Sequence, residues 1–199
     1  MEQKRMTRRL LFISWVGLLG QITIVLYSLL QSFVGPPYST ICLFASISLP
    51  LVFWLGYGFA VGKGSRSIQV GALACGIFLI ARLVLRALII FSAYRSDDFW
   101  VRLYFQLIII DSWAISIISM FGIVFLVKFA SNSVMPIKVS SVLYILVLFA
   151  SFFYYFITPV MPGYSSSAYI FRIAFALLAV PFYVSMISYQ RKHFRSLNL

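Results

Sequence analysis

Two arginines four residues apart interrupt the apolar stretch FLIARLVLRALII, which covers residues 78 to 90. A charge at the centre of a membrane helix costs about 2.5–3.5 kcal/mol even on insertion scales, so Arg82 and Arg86 each require a partner, water or a route to the lipid headgroups. Three further charges lie inside apolar stretches, namely Arg102, Asp111 and Arg172. Because intramembrane charges are candidates for function, the chemistry of these five residues must be explained.

The composition identifies the kind of element that holds these charges. The chain has 199 residues, of which 62% are hydrophobic and 10% are charged, whereas a soluble domain averages about a quarter charged residues. That leaves too few polar side chains to cover a water-exposed globule, which excludes a soluble protein. The net charge of +12 comes from short basic clusters between apolar stretches. This arrangement is typical of topology signals, so we expect no nucleic-acid partner.

Six apolar stretches are long enough to cross about 30 Å of hydrocarbon as helices. A helix satisfies its backbone polar groups internally, as lipid requires. We therefore predict an all-α polytopic membrane protein, a bundle of six transmembrane helices in which residues 1–199 form a single integral membrane domain without a soluble domain. The predicted spans are 10–34, 39–61, 68–94, 99–127, 139–161 and 168–189.

The distribution of lysine and arginine predicts the direction of these spans. Eleven of these residues fall at the two termini and in the second and fourth connections, against Arg95 alone on the opposite side. Since basic residues favour the cytoplasmic side, we predict that both termini are cytoplasmic. The first apolar run continues to Val34, too long for a signal peptide, and is expected to be the first span. The predicted location is the lipid bilayer of the bacterial cytoplasmic (inner) membrane.

The third and fourth spans form a hairpin closed by RSDD at 95–98, and its register predicts an ion pair. Residues equally far from the midpoint of an antiparallel hairpin lie at equal depth, and Arg82 precedes this midpoint by as many residues as Asp111 follows it. Both lie about 20 Å from the turn, near the bilayer centre. Asp111 is the only acid inside a predicted span. We therefore predict a buried ion pair that acts either as a structural lock or as a functional element.

The three arginines of the outer half, Arg86, Arg102 and Arg172, have no acid at their own depth in any span. A long side chain near a helix end lifts its guanidinium to the headgroups, which is one interpretation for each of them. The alternative is a shared cationic site, because the planar guanidinium matches phosphate and carboxylate groups. We predict these three residues as candidate ligand-binding residues for an anion.

Helical spacing places small and polar residues on the same faces as the buried charges. On the third span, Gly71 and Cys75 share a stripe with the two arginines, and on the fourth span serines lie beside the face of Asp111. Such faces are expected to contact protein or line a cavity. Pro50 and Pro181 lie in mid-span, where each removes a backbone hydrogen bond and is expected to kink its helix.

The sequence carries no recognisable catalytic motif. The only histidine, His193, lies in the C-terminal tail, and an aspartyl protease requires two intramembrane acids where this chain has one. No P-loop, HExxH or CxxC is present, so we predict no enzymatic activity, no cofactor and no metal site. Two hypotheses remain. One is a binding or transport subunit for an anionic solute or lipid headgroup, and the other is an accessory protein that binds another membrane protein, as an assembly factor, immunity factor or scaffold does.

Overall fold

The computed structural model describes residues 2–33, 38–60, 66–95, 97–131, 133–157 and 167–196, and the regular elements in these ranges are all α-helices. Six helices are long and apolar enough to cross a membrane, as the sequence predicts. They are α1 (Glu2–Phe33), α2 (Tyr38–Ala60), α3 (Arg66–Ala93), α4 (Asp98–Ser131), α5 (Met135–Ile157) and α6 (Ser167–Ser196).

Several helices continue beyond the predicted span ends. α1 begins eight residues before its predicted span and α6 ends seven residues after its own, because lysine and arginine are good helix formers outside the hydrocarbon as well. The connection predicted at 128–138 shortens to the residues between Ser131 and Met135, with Pro136 in the first turn of α5, where the fixed φ of proline suits a helix start. The connections at 34–37, 61–65 and 158–166 lie outside the described residues.

The six helices form a closed ring in which each helix packs against the next and α6 packs back against α1. Neighbouring helices are antiparallel. The Cys75–Ile118 contact lies seven residues back along α3 and seven residues forward along α4 from the Arg82–Asp111 contact. The start of α1 and the end of α6 therefore share one end of the bundle, which we call the terminal end, and the opposite end is the distal end.

Aromatic side chains fill the centre of the ring in its terminal half. Trp54 of α2 packs edge-to-face against Phe125 of α4 with ring centroids 5.0 Å apart, and Phe53 packs in the same way against Tyr183 of α6 at 5.0 Å. These contacts cross the ring between helices that are not neighbours, and each adds about 0.5–1.5 kcal/mol beyond the burial of the rings. The aromatic cluster consists of Phe53, Trp54, Tyr57, Phe125, Phe129, Tyr144, Phe182 and Tyr183.

Small residues set the distances between neighbouring helices. A Cβ at Gly71 would lie 3.2 Å from Phe125 Cβ and 3.3 Å from the Phe125 backbone nitrogen, so α3 and α4 are in backbone contact there. One turn further, the Cys75 thiol donates to the Ile118 carbonyl of α4 at 3.5 Å. The small-residue stripe of the third span is therefore used for packing inside the bundle, which agrees with the expectation that it contacts protein.

Candidate functional site

A cavity of about 170 Å³ lies at the centre of the ring in its distal half, and all six helices contribute to its wall. We call it the central cavity. Trp54 and Tyr144 of the aromatic cluster line it, so the cluster bounds the cavity on its terminal side. The polar residues of the wall are Gln21, Tyr27, Ser46, Arg82, Arg86, Ser119, Tyr144, Ser151, Tyr155 and Arg172.

Arg82 and Asp111 form an ion pair beside this cavity. The Arg82 Nε–H donates to Asp111 Oδ1 at 3.0 Å, at the equal depth that the hairpin register implies. The carboxylate side chain is 1% exposed and the guanidinium side chain is 18% exposed. A carboxylate this deeply buried is stabilised only when charged hydrogen bonds replace its lost hydration, and α3 supplies them.

Arg86 also pairs with Asp111, although no acid lies at its own depth in any predicted span. Its Nη2 donates to Asp111 Oδ2, while Arg82 occupies the other carboxylate oxygen. The two arginines lie one turn apart on the same face of α3, about 6 Å along the axis. The two partners need not lie at equal backbone depth, because an arginine side chain is long enough to bridge one helical turn. A single acid therefore neutralises one of two adjacent guanidinium charges.

One buried donor of Arg86 has no acceptor in the described part of the bundle. Its Nε–H is buried and has no hydrogen-bond partner among the described residues, although Arg86 lines the central cavity. A buried donor of a charged group that lacks an acceptor is costly, about 1–3 kcal/mol or more. The arrangement is therefore one that an acceptor inside the cavity would stabilise.

Arg172 lines the same cavity from α6, which is far from α3 in the sequence. It lies in the second turn of α6, and its Nε–H donates to the Tyr155 hydroxyl of α5 at 3.2 Å. Both residues are part of the cavity wall. Arg82, Arg86 and Arg172 with the single carboxylate of Asp111 give this region two formal positive charges, since arginine stays protonated in proteins.

Arg102 does not join the other arginines. It lies on the exposed surface of α4 and is outside the wall of the central cavity. The structure therefore brings together two of the three predicted ligand-binding residues, Arg86 and Arg172. The position of Arg102 is the one expected for a side chain that extends along the protein surface to the headgroups.

The two mid-span prolines have different surroundings. Pro50 is buried, lines the central cavity and packs against Gly20 of α1, where a Cβ would lie 2.9 Å from the proline Cδ. Pro181 is exposed on α6. α2 and α6 both continue through their prolines. Only Pro50 therefore contributes to the candidate site, where it also leaves the Ser46 carbonyl without its usual helical donor.

Sequence reasoning missed the tyrosines of the site. Tyr155 holds Arg172, and the hydroxyls of Tyr144 and Tyr183 lie 3.2 Å apart across the α5–α6 contact. The available signal was the presence of phenol groups within apolar spans, since a buried hydroxyl usually has a polar partner. No group of three or more His, Cys, Asp or Glu side chains suited to a metal ion occurs in the described ranges.

The chain matches no protein-family model, and neither the curated proteins nor the solved structures gave a significant match. The functional argument is therefore made from the central cavity and its charges.

Proposed function

We propose that the protein binds an anionic solute or headgroup in the central cavity, as a small binding or transport subunit of a membrane. One observation carries the proposal. Arg86 and Arg172, from α3 and α6, line the same cavity, and the only intramembrane acid is already shared by two arginines. An excess of guanidinium charge in a site of low dielectric attracts a carboxylate or phosphate more strongly than it would in bulk water, because the interaction is screened less.

The size and lining of the cavity narrow the class of anion. Its volume of about 170 Å³ is close to that of a cavity of roughly 150 Å³ that holds benzene. Apolar side chains such as Leu79, Ile118 and Phe175 line it together with the arginines. A free solute that fits is therefore close to benzene in size and joins one carboxylate or phosphate group to a small apolar portion, whereas a lipid would place only its headgroup in the cavity.

The direction of access follows from the charge distribution. Basic residues cluster at the terminal end, which favours the cytoplasm for that end and the outer side for the distal end. The central cavity would then receive its ligand from the outer half of the membrane. Release towards the cytoplasm requires the aromatic cluster to move, since its rings fill the terminal half of the ring centre.

The test is equilibrium dialysis of radiolabelled benzoate against the purified full chain in phosphatidylcholine nanodiscs. We expect one saturable site per chain that unlabelled benzoate blocks and neutral benzamide does not. Arg172→Gln is expected to weaken binding at least about tenfold, since it removes a charged hydrogen-bond donor. Arg102→Gln removes the same charge outside the cavity and serves as the matched control. Equal competition by benzamide, or equal loss in both variants, would overturn the proposal.

A second experiment distinguishes a free solute from a lipid headgroup as the natural ligand of the central cavity. Nanodiscs that contain phosphatidic acid in place of part of the phosphatidylcholine present a phosphate headgroup to the same cavity. Loss of benzoate binding in these discs identifies the headgroup as a competitor. Unchanged benzoate binding identifies the site as one for free anions.

The accessory-protein hypothesis remains a prediction. Two small residues of the third and fourth spans, which could have contacted a partner helix, pack inside the bundle: Gly71 lies against Phe125 and Gly122 against Leu148. These residues are therefore not available as a docking face. Native mass spectrometry of the protein from gentle detergent tests the hypothesis, which predicts a copurifying membrane protein at defined stoichiometry.

A further inference from the structure

A second, larger cavity of about 700 Å³ lies between α1 and α2 at the terminal end of the bundle. We call it the terminal groove. It shares no lining residue with the central cavity. The groove is lined by Arg5, Arg8, Arg9, Phe12, Ile13, Gly56, Phe59 and Ala60.

The groove follows from the spacing of residues on the two helices. Arg5, Arg8, Arg9 and Phe12 recur at the three- and four-residue intervals that share one face of a helix. α1 and α2 are in close contact where Ile13 and Gly56 line the groove, because a Cβ at Gly56 would lie 3.1 Å from Ile13 Cγ1. Beyond that contact the helices leave room between them, and the three guanidiniums form the rim.

No counter-charge for the rim is present among the side chains that the structure describes. Arg5, Arg8 and Arg9 form no ion pair with any of these side chains, and all three are exposed. They lie in the first turns of α1, where the helix dipole disfavours positive charge, and like charges at this spacing repel one another. An anion bound at the rim would relieve both effects.

Two exposed aromatic rings line the groove at the level where the apolar surface of α1 and α2 begins. Phe12 is 65% exposed and Phe59 is 70% exposed, so both rings face outward from the ring of helices. The membrane-spanning segments of α1 and α2 reach this level, since one begins at Arg5 and the other ends at Ala60. Cationic groups followed by exposed rings match the order of parts in a phospholipid, a phosphate followed by acyl chains. A soluble anion would make no use of the rings.

We infer that the terminal groove binds the headgroup of an acidic phospholipid, with the lipid phosphate among Arg5, Arg8 and Arg9 and an acyl chain against Phe12 and Phe59. Basic pockets between membrane helices on the side that carries topology charges suit such headgroups. The inference does not rest on the central cavity, because the two sites have separate walls.

Native mass spectrometry of the full chain in neutral detergent tests the inference with phosphatidylglycerol and phosphatidylcholine added in equal amounts. We expect one phosphatidylglycerol to be retained per chain in preference to phosphatidylcholine. The triple variant Arg5→Gln, Arg8→Gln and Arg9→Gln is expected to lower the affinity on the order of a hundredfold, about fivefold for each basic residue removed.

The matched control is the triple variant Lys138→Gln, Lys192→Gln and Arg195→Gln. It removes the same charge from exposed positions at the same end of the bundle, outside the groove, and is expected to retain the lipid. If the triple groove variant fails to fold by circular dichroism, the single variants Arg8→Gln and Arg9→Gln test the same site with about fivefold losses. Equal retention of phosphatidylcholine, equal losses in groove and control variants, or unaffected single variants would overturn the inference.

Discussion

Asp111 Oδ1 lies 3.0 Å from Arg82 Nε between α3 and α4, and the other oxygen of the same carboxylate is bonded by Arg86. One buried acid thus holds two arginines that are one helical turn apart. The arrangement fixes the guanidinium of Arg86 at the wall of the central cavity. It also leaves a net positive charge there, which is the physical basis of the proposed anion site.

Asp111→Asn is predicted to destabilise the protein by about 3–5 kcal/mol, because two partly buried guanidiniums lose their shared, fully buried counter-charge. Thermal unfolding in one fixed detergent measures the effect. Asp98→Asn is the control, since Asp98 is an exposed acid at the start of the same helix. Equal stability of the two variants would contradict the structural role of the shared carboxylate.

Arg86 is a third charged residue in contact with the Arg82–Asp111 pair, so exchanging the two residues of that pair tests its role. The double variant Arg82→Asp with Asp111→Arg reverses the pair but places a new guanidinium next to Arg86, since Arg86 contacts position 111. We predict that folded yield recovers only when Arg86→Gln is added, because like charges then no longer meet. Full recovery in the double variant alone would show that Arg86 does not share the acid.

Gly71→Leu is predicted to destabilise the protein by about 1–3 kcal/mol through overpacking, because even a Cβ at this position would touch the Phe125 backbone. Val70→Leu is the control at the adjacent, exposed position and is expected to have little effect. Chemical unfolding of both variants in the same detergent makes the comparison. If Gly71→Leu unfolds at the same denaturant concentration as the wild type, α3 and α4 do not approach closely at this position.

Phe125→Ala tests the aromatic cluster and is predicted to destabilise the protein by about 3–5 kcal/mol, since Phe125 is fully buried and lies against rings of α2. Phe105→Ala removes the same side chain from an exposed position of α4 and is the matched control. Thermal unfolding distinguishes the two. A smaller loss for Phe125→Ala than for Phe105→Ala would contradict the packed centre.

The orientation of the bundle in the membrane is testable by cysteine labelling in intact cells. In a background with Cys42→Ala and Cys75→Ala, Asp98→Cys is predicted to react with an impermeant maleimide from outside. Arg195→Cys, at the terminal end, is predicted to react only after the membrane is permeabilised, as the basic-residue distribution requires. Reaction in the opposite order would place both termini outside.

Much of the fold was predictable because it depends on local properties of the chain. Apolar length predicted six helices, and the short RSDD connection between α3 and α4 determined the register that brings Arg82 level with Asp111. Short connections constrain only consecutive helices. The contact of α6 with α1, and with it the approach of Arg172 to the cavity that Arg86 lines, joins residues far apart in sequence.

The parts that sequence reasoning missed depend on side-chain reach and on packing across the ring. Arg86 and Arg102 both lie in the half of the hairpin nearer its turn, yet Arg86 lines the cavity and Arg102 is exposed. Arg86 lies deeper in its span than Arg102, and the face that each helix turns towards its neighbours is set by packing. Likewise, the contact of Phe53 with Tyr183 joins two helices that no connection brings together.

The central claim is that Arg86 and Arg172 contact the same anion, and a double-mutant cycle on benzoate affinity tests it most directly. Dissociation constants are measured by equilibrium dialysis for the wild type, Arg86→Gln, Arg172→Gln and the double variant. We predict that each single change weakens benzoate binding at least about tenfold. The loss of affinity in the double variant is expected to be at least about twofold smaller than the product of the two single losses, because residues that share a ligand are coupled. Losses that multiply without coupling, or wild-type affinity in Arg86→Gln, would contradict a shared site.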